Sequence, residues 1–136
     1  DRHAEQLVAP PEFQLVASFN PGYRRGPKEL KPSTRQRFVG LDFTYPEPAV
    51  EAEIVAREVG LEPAVAKRLV ALARKVRSLS ELGLAETVST RLLVNAGRLI
   101  RAGVDPRVAC VHTVVAPLTD DAEVAGALRD VVHLVF

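Results

Sequence analysis

The sequence predicts a short α/β segment followed by an all-α domain, and three observations lead to that prediction. Residues 1–45 are rich in proline and glycine and contain both tyrosines and four of the five phenylalanines, whereas residues 46–136 are dominated by alanine, valine, leucine and charged residues. Two short apolar runs in the first part have the length of strands. Apolar stripes at helical spacing recur through the second part. We therefore place a domain boundary between residues 45 and 46.

Residues 13–19 and 38–43 are the two predicted strands. The consecutive apolar residues 15–17 are typical of a strand buried on both faces, as in a parallel sheet. The first strand should end at residues 20–22, an Asn-Pro-Gly turn. Residues 28–36 between the strands are long enough for a helix, and a strand–helix–strand order indicates a parallel α/β unit.

Two strands do not form a stable sheet, even with a marginal third at residues 5–8. The sequence also contains no methionine. Both observations lead us to expect that further sequence of the same α/β domain precedes these 136 residues. Pro32 argues against the helix at 28–36, since proline is unfavourable beyond a helix's first turn.

Turn and capping residues divide the second part into five predicted helices. Glu62-Pro63, Ser89, Asp105-Pro106 and the capping-box pattern Asp120-x-x-Glu123 mark helix starts, while Gly60 and Gly103 mark ends. The first of these helices, at 48–58, should bury Val50, Ile54 and Val55. Residues 131–136 fit either the end of the last helix or a strand, because so short a run has no decisive period.

Composition excludes several classes of protein. The chain is 47% apolar and 26% charged with a net charge of +1, which argues against disorder. No apolar run approaches the roughly 20 residues that cross a bilayer, and no secretory leader opens the sequence, so we expect no membrane insertion. The single cysteine, Cys110, fits a reducing cytoplasm and a core position. The scattered histidines, with His112 expected to be partly buried, predict no metal site.

The basic segment at residues 20–37 has six Lys and Arg residues against one Glu. It is either a solvated loop or an anion site for phosphate or nucleic acid. Arg35 and Arg37 lie where the predicted helix meets the strand at 38–43, and such a junction can hold a guanidinium in one direction. Being two residues apart on a helix, they should point in nearly opposite directions, so that one can face a ligand.

Two further polar residues occupy positions where ligands are often bound. Asn20 follows the first predicted strand, and ligands of parallel α/β sheets bind at the carboxyl ends of strands; its other interpretation is a turn residue. Arg91 lies in the first turn of the helix that Ser89 starts, where a cation opposes the helix dipole. With Asn95 and Arg98 it forms a polar stripe, and a solvated helix face is the simpler interpretation.

Two strings in the first part resemble a known family. They are L-V-A-S-F-N-P-G-Y at 15–23 and K-E-L-K-P-S-T-R-Q-R-F at 28–38, and both closely resemble the CbbQ/NirQ/NorQ branch of the MoxR-type AAA+ ATPases. The segments at 89–93 and 117–121 fit the same branch. The resemblance implies that residues 1–45 are the C-terminal strands of a parallel P-loop NTPase sheet and that residues 46–136 are its helical lid.

The resemblance also implies roles for four residues. Asn20 matches the sensor-1 asparagine that helps place the attacking water near the γ-phosphate. Arg37 matches the arginine finger that reaches the neighbouring subunit's nucleotide, and Arg35 is a second candidate for that role or a partner for it. Arg91 matches the sensor-2 arginine, which contacts nucleotide bound to its own subunit.

By the same resemblance, the intact protein would be a cytoplasmic, hexameric ATPase that works with a partner carrying a von Willebrand factor A (VWA) domain. It would remodel or activate a metalloenzyme client, either Rubisco or nitric oxide reductase. ATP and Mg²⁺ would be held through upstream residues, since these 136 residues contain no phosphate-binding loop. The chain alone should therefore be inactive. Two alternatives remain open: a non-enzymatic helical interaction module, and a less expected nucleic-acid-binding domain using residues 24–37.

Overall fold

A computed structural model describes residues 8–18, 31–79 and 87–136 of the chain. The chain divides into two compact units, Asp1–Leu41 and Asp42–Phe136. This division is an observation about compactness. The assignment of residues 1–45 and 46–136 to a nucleotide-binding domain and a lid stays a prediction.

The described part of the first unit contains one short helix, α1 (Pro32–Arg35). Pro32 occupies its first turn, where the missing N–H of proline costs no helical hydrogen bond. The predicted helix at 28–36 is therefore confirmed over four residues, and residues 28–30 lie outside the described ranges. The preceding segment, residues 8–18, has irregular backbone with a turn closed by the Phe13 N–H, which donates to the Pro10 carbonyl at 3.0 Å.

The predicted parallel sheet is wrong for the residues that the structure describes. Residues 13–18 and 38–43 are irregular, and no strand occurs in the described ranges. Residue 19 and most of the marginal strand at 5–8 lie outside them. Val16 is 86% exposed and Val39 is 91% exposed, so neither apolar run is packed as a strand buried on both faces would be. An apolar run becomes a strand only when neighbouring strands satisfy its backbone and cover its side chains.

The second unit is helical, as predicted. Its elements are α2 (Pro48–Val59), α3 (Pro63–Ser78), α4 (Thr90–Arg101), α5 (Pro106–Cys110), a π-helical turn (Val111–Val115), α6 (Ala116–Leu118) and α7 (Ala122–Val135). The stretch from α5 through the π turn to α6 is continuous and corresponds to the helix predicted from Asp105-Pro106. Helix α7 extends to Val135, which decides the ambiguity of the tail in favour of helix.

Most of the predicted helix ends are confirmed. Gly60 ends α2 with a left-handed φ of 67°, and Asp105 caps α5 by accepting from the N–H groups of Arg107 and Val108 at 2.9 and 3.2 Å. The cap of α7 is Asp121 rather than Asp120, one residue later than the capping-box pattern indicated. Two consecutive aspartates offer two registers, and the sequence pattern selected the wrong one.

The core lies where α2 and α3 pack on each other and on α4, α7 packs on α3, and the π turn packs on α4 and α7. The largest fully buried apolar side chains include Leu69, Leu72, Leu93 and Leu128. Cys110 is buried as predicted, and burial, followed by the charge of Asp105, raises the pKa of its thiol to about 12. The prediction for His112 is wrong, since this side chain is exposed.

The buried face of α2 differs from the predicted one. Val50 and Ile54 are exposed, and the buried residues are Glu51, Ala52, Val55 and Val59. Their spacing follows one helical face. The hydrophobic pattern did not predict this face because its first residue, Glu51, carries a carboxylate.

Candidate functional site

Glu51 is the one charged residue that is buried in the part of the chain that the structure describes, with 1% of its surface exposed. Arg77, at the end of α3, forms a bidentate contact with the Glu51 carboxylate. Its Nη1 donates to Oε2 at 2.8 Å and its Nη2 donates to Oε1 at 2.7 Å. The Thr90 hydroxyl donates to Oε1 at 2.8 Å. Three donors therefore satisfy a carboxylate that has almost no access to water, in the bidentate geometry that favours an arginine partner.

The same arginine makes two further contacts. Its Nε donates to the backbone carbonyl of Val88 at 2.8 Å, and its guanidinium carbon lies 3.5 Å from the centre of the Tyr45 ring. We call Tyr45, Glu51, Arg77, Thr90 and the Val88 carbonyl the Glu51 network. It connects the segment before α2, the first turn of α2, the end of α3 and the start of α4.

Burial and hydrogen bonding act on Glu51 in opposite directions. Burial alone would raise the pKa of this carboxyl. The hydrogen bonds from Arg77 and Thr90, together with the charge of Arg77, outweigh burial and hold the pKa below its ordinary value of 4.5. Glu51 is therefore ionised at neutral pH, and the contact with Arg77 is an ion pair.

Arg91 follows Thr90 directly and lies on the exposed side of the first turn of α4. Within residues 8–18, 31–79 and 87–136, its side chain makes no hydrogen bond or ion pair. Asn95 is half-buried and Arg98 is exposed, in keeping with the polar stripe predicted from the sequence. The structure thus presents an arginine to solvent next to a residue that is fixed by the buried Glu51.

The other three predicted site residues belong to the first unit. Arg35 is the last residue of α1 and is exposed, and Arg37 lies two residues beyond it and is also exposed. The Arg37 backbone N–H donates to the Thr34 carbonyl at 3.1 Å. Asn20 lies outside the described residues, as does most of the basic segment at 20–37. The roles assigned to Asn20, Arg35, Arg37 and Arg91 stay predictions.

Sequence reasoning missed Glu51, Arg77 and Thr90. A weak signal exists in α2, where Glu51 takes an apolar register with Ala52, Val55 and Val59. A carboxylate in such a register needs a buried cation. Nothing in the sequence says which of the arginines supplies it, because Arg77 is 26 positions away.

Two absences hold for the described ranges. No helix there combines the length and hydropathy needed to cross a bilayer. No group of three or more His, Cys, Asp or Glu side chains in those ranges is arranged to hold a metal ion.

Comparison with known proteins identifies the family. Residues 51–135 match the model of the CbbQ/NirQ/NorQ C-terminal family. Over all 136 residues the chain is 48% identical to protein CbbQ of Hydrogenophilus thermoluteolus and 52% identical to protein NorQ of Paracoccus denitrificans. It is 47% identical to the denitrification regulatory protein NirQ of Stutzerimonas stutzeri over the same length.

The alignments cover all of this chain but 51%, 50% and 50% of those three relatives, so the chain spans about half the length of the curated relatives it matches. The residues of this chain that match the family model begin at Glu51 and include Arg77, Thr90 and Arg91. The chain belongs to the CbbQ/NirQ/NorQ family of MoxR-type AAA+ proteins and corresponds to its C-terminal region.

Proposed function

We propose that the full-length protein is an ATP-hydrolysing AAA+ activase or regulator, and that the chain described above supplies its sensor, finger and lid elements. The observation that carries the proposal is identity of about one half, across the whole chain, to proteins named CbbQ, NorQ and NirQ. NirQ is named as a denitrification regulatory protein, which supports a regulatory role.

The exposed arginines fit a triphosphate ligand. A guanidinium can donate two parallel hydrogen bonds to phosphate oxygens, and Arg91 is exposed with no ion-pair partner in the described ranges. In the proposed protein Arg91 contacts ATP bound to its own subunit. Arg37 reaches the ATP of the neighbouring subunit, with Arg35 as a second candidate or a partner, and Asn20 orients the attacking water.

Most of the nucleotide-binding machinery would lie outside this chain. The sequence has no phosphate-binding loop of the G-x-x-x-x-G-K-[ST] type. ATP and Mg²⁺ would thus be held mainly by residues in the other half of the protein. When bound with its metal, the nucleotide supplies the phosphoryl transfer that drives remodelling.

A finger that acts between subunits requires a ring, so the proposed assembly is a homohexamer. It would work in the cytoplasm with a VWA-domain partner on a metalloenzyme client, Rubisco or nitric oxide reductase. Identities of 48% to CbbQ and 52% to NorQ are too similar to favour one client over the other.

The test is ATP hydrolysis by the full-length protein and its Arg37→Ala variant. Loss of an arginine finger should lower kcat by about 10³–10⁵ while leaving ATP binding largely intact. Arg57→Ala is the matched control, since Arg57 is an exposed arginine paired with Glu53 on the surface of α2. Wild-type turnover in Arg37→Ala would refute the finger assignment, and Arg35→Ala decides which of the two arginines acts.

A further inference from the structure

We propose that the Glu51 network is a positioning device that holds Arg91 in the direction needed to meet bound nucleotide. The proposal rests on the function proposed above for Arg91. It adds three residues, Glu51, Arg77 and Thr90, to the set that controls nucleotide binding, as positioning residues that act through Arg91.

The start of α4 lacks the usual helix cap. Ser89 stands at the cap position, but its side chain accepts no hydrogen bond from the backbone of the first turn. The first turn of a helix without a cap frays readily. An arginine in that turn would then have no fixed direction.

The Glu51 network supplies the missing attachment on both sides of Ser89. Before it, the Val88 carbonyl accepts from Arg77 Nε at 2.8 Å. After it, the Thr90 hydroxyl donates to Glu51 Oε1 at 2.8 Å. Both bonds lead to one ion pair buried between α2 and α3, so the backbone immediately before Arg91 is tied to the rigid core of the unit.

The network also reaches the segment that precedes α2. The Tyr45 ring stacks on the Arg77 guanidinium, and this residue lies shortly after the boundary between the two compact units. Such a cation–π contact attracts the guanidinium to the face of the aromatic ring. Tyr45 therefore adds one more contact to the arginine that holds the Val88 carbonyl.

Because Thr90 is partly exposed, a positioning role of its hydroxyl can be tested separately from a role in core packing. Thr90 is half-buried and Arg91 is exposed, so replacing the Thr90 hydroxyl with a methyl group opens no core cavity. The Glu51–Arg77 pair keeps both of its own hydrogen bonds in such a variant. Thr90→Val thus removes the attachment that follows Ser89. The Arg77 bond to the Val88 carbonyl and the Glu51–Arg77 hydrogen bonds do not involve the Thr90 hydroxyl.

The experiment compares Thr90→Val, Thr90→Ser and Thr113→Val in the full-length protein, by steady-state ATP hydrolysis and direct ATP binding. Thr113→Val is the matched control, because that hydroxyl also has one acceptor, the Ala109 carbonyl at 2.7 Å, away from α4's first turn. We expect Thr90→Val to weaken ATP binding and raise KM about three- to tenfold. Thr90→Ser should restore wild-type values, and Thr113→Val should not change them.

The decisive comparison combines Thr90→Val with Arg91→Ala. If Thr90 acts through Arg91, the double variant binds ATP no more weakly than Arg91→Ala alone. Additive losses, or no loss in Thr90→Val, would overturn the positioning role while leaving the function of Arg91 standing. If Arg91→Ala itself binds and hydrolyses ATP as the wild type does, the proposed function of Arg91 fails and the positioning role fails with it.

Discussion

Replacing Arg77 should be among the most destabilising single changes in the helical unit. Arg77→Met removes two of the three donors to Glu51 and leaves a carboxylate that is 1% exposed with only the Thr90 hydroxyl from the network. Removing one partner of a buried ion pair typically costs about 3–5 kcal/mol. Domains of this size are stable by about 5–15 kcal/mol, so a large share of the free energy of unfolding would be lost.

Replacing Glu51 instead of Arg77 should lower the free energy of unfolding by a smaller amount. In Glu51→Met the guanidinium keeps its bond to the Val88 carbonyl, and the Arg77 side chain, 13% exposed, can still reach water. We expect a loss of about 1–3 kcal/mol. The double variant removes both charges, and an apolar pair of similar volume is often close to neutral. Its loss should therefore be smaller than that of Arg77→Met alone.

The assay is urea unfolding followed by far-ultraviolet circular dichroism, arranged as a double-mutant cycle. The cycle should give a coupling of at least about 1 kcal/mol between Glu51 and Arg77. Arg57→Met, which breaks the exposed pair with Glu53, serves as control and should cost no more than about 0.5 kcal/mol. A loss under about 1 kcal/mol in Arg77→Met, or additive single effects, would refute the account of a buried, water-excluded pair.

Three further predictions use the same unfolding measurement or simple labelling. Because the pKa of Glu51 is lower in the folded state, the stability that its charge provides is present above about pH 4.5 and is lost as pH falls through the folded pKa. The free energy of unfolding of Glu51→Gln should therefore fall less steeply with decreasing pH in the acid range than that of the wild type. The same steepness in both proteins would contradict this. Cys110, with its pKa raised from 9.0 to about 12, should resist thiol reagents at pH 8 until urea unfolds the chain, and its contribution to stability should fall as pH rises from about 9 towards 12; rapid native labelling would count against its burial. Gly126 lies within α7, and a methyl group added there lies in open space, so Gly126→Ala should stabilise the protein by about 0.5–1 kcal/mol. Gly60 has a left-handed φ of 67°, so Gly60→Ala should destabilise the protein by about 1 kcal/mol or more. Equal effects at both sites would contradict the backbone assignments.

The helices could be predicted because their signals are local. Proline at the first turn of α2, α3 and α5, glycine after α2 and aspartate before α5 act within a few residues of the chain. The register error between Asp120 and Asp121 shows the limit of such signals, since two adjacent residues can serve equally well until tertiary packing chooses.

Features that depend on distant partners could not be predicted. Residues 13–18 and 38–43 have the composition of strands, but a strand needs a neighbouring strand to pair with. Neither segment is paired with a strand in the described part of the chain. The burial of Glu51 depends on Arg77 and Thr90, which lie 26 and 39 positions away. Arg91 was selected as a candidate because its position and the family resemblance both single it out, and its role stays a prediction. Sequence reasoning did not select Glu51, Arg77 or Thr90.

The central claim is that Arg91, held at the start of α4, contacts nucleotide. The most direct measurement is ATP affinity of the full-length protein by titration calorimetry, comparing Arg91→Ala with Arg98→Ala. Both arginines are exposed on the same polar stripe of α4, two turns apart. The account predicts that Arg91→Ala weakens ATP binding about tenfold or more and that Arg98→Ala changes it less than about twofold. Equal affinities in the two variants would contradict it.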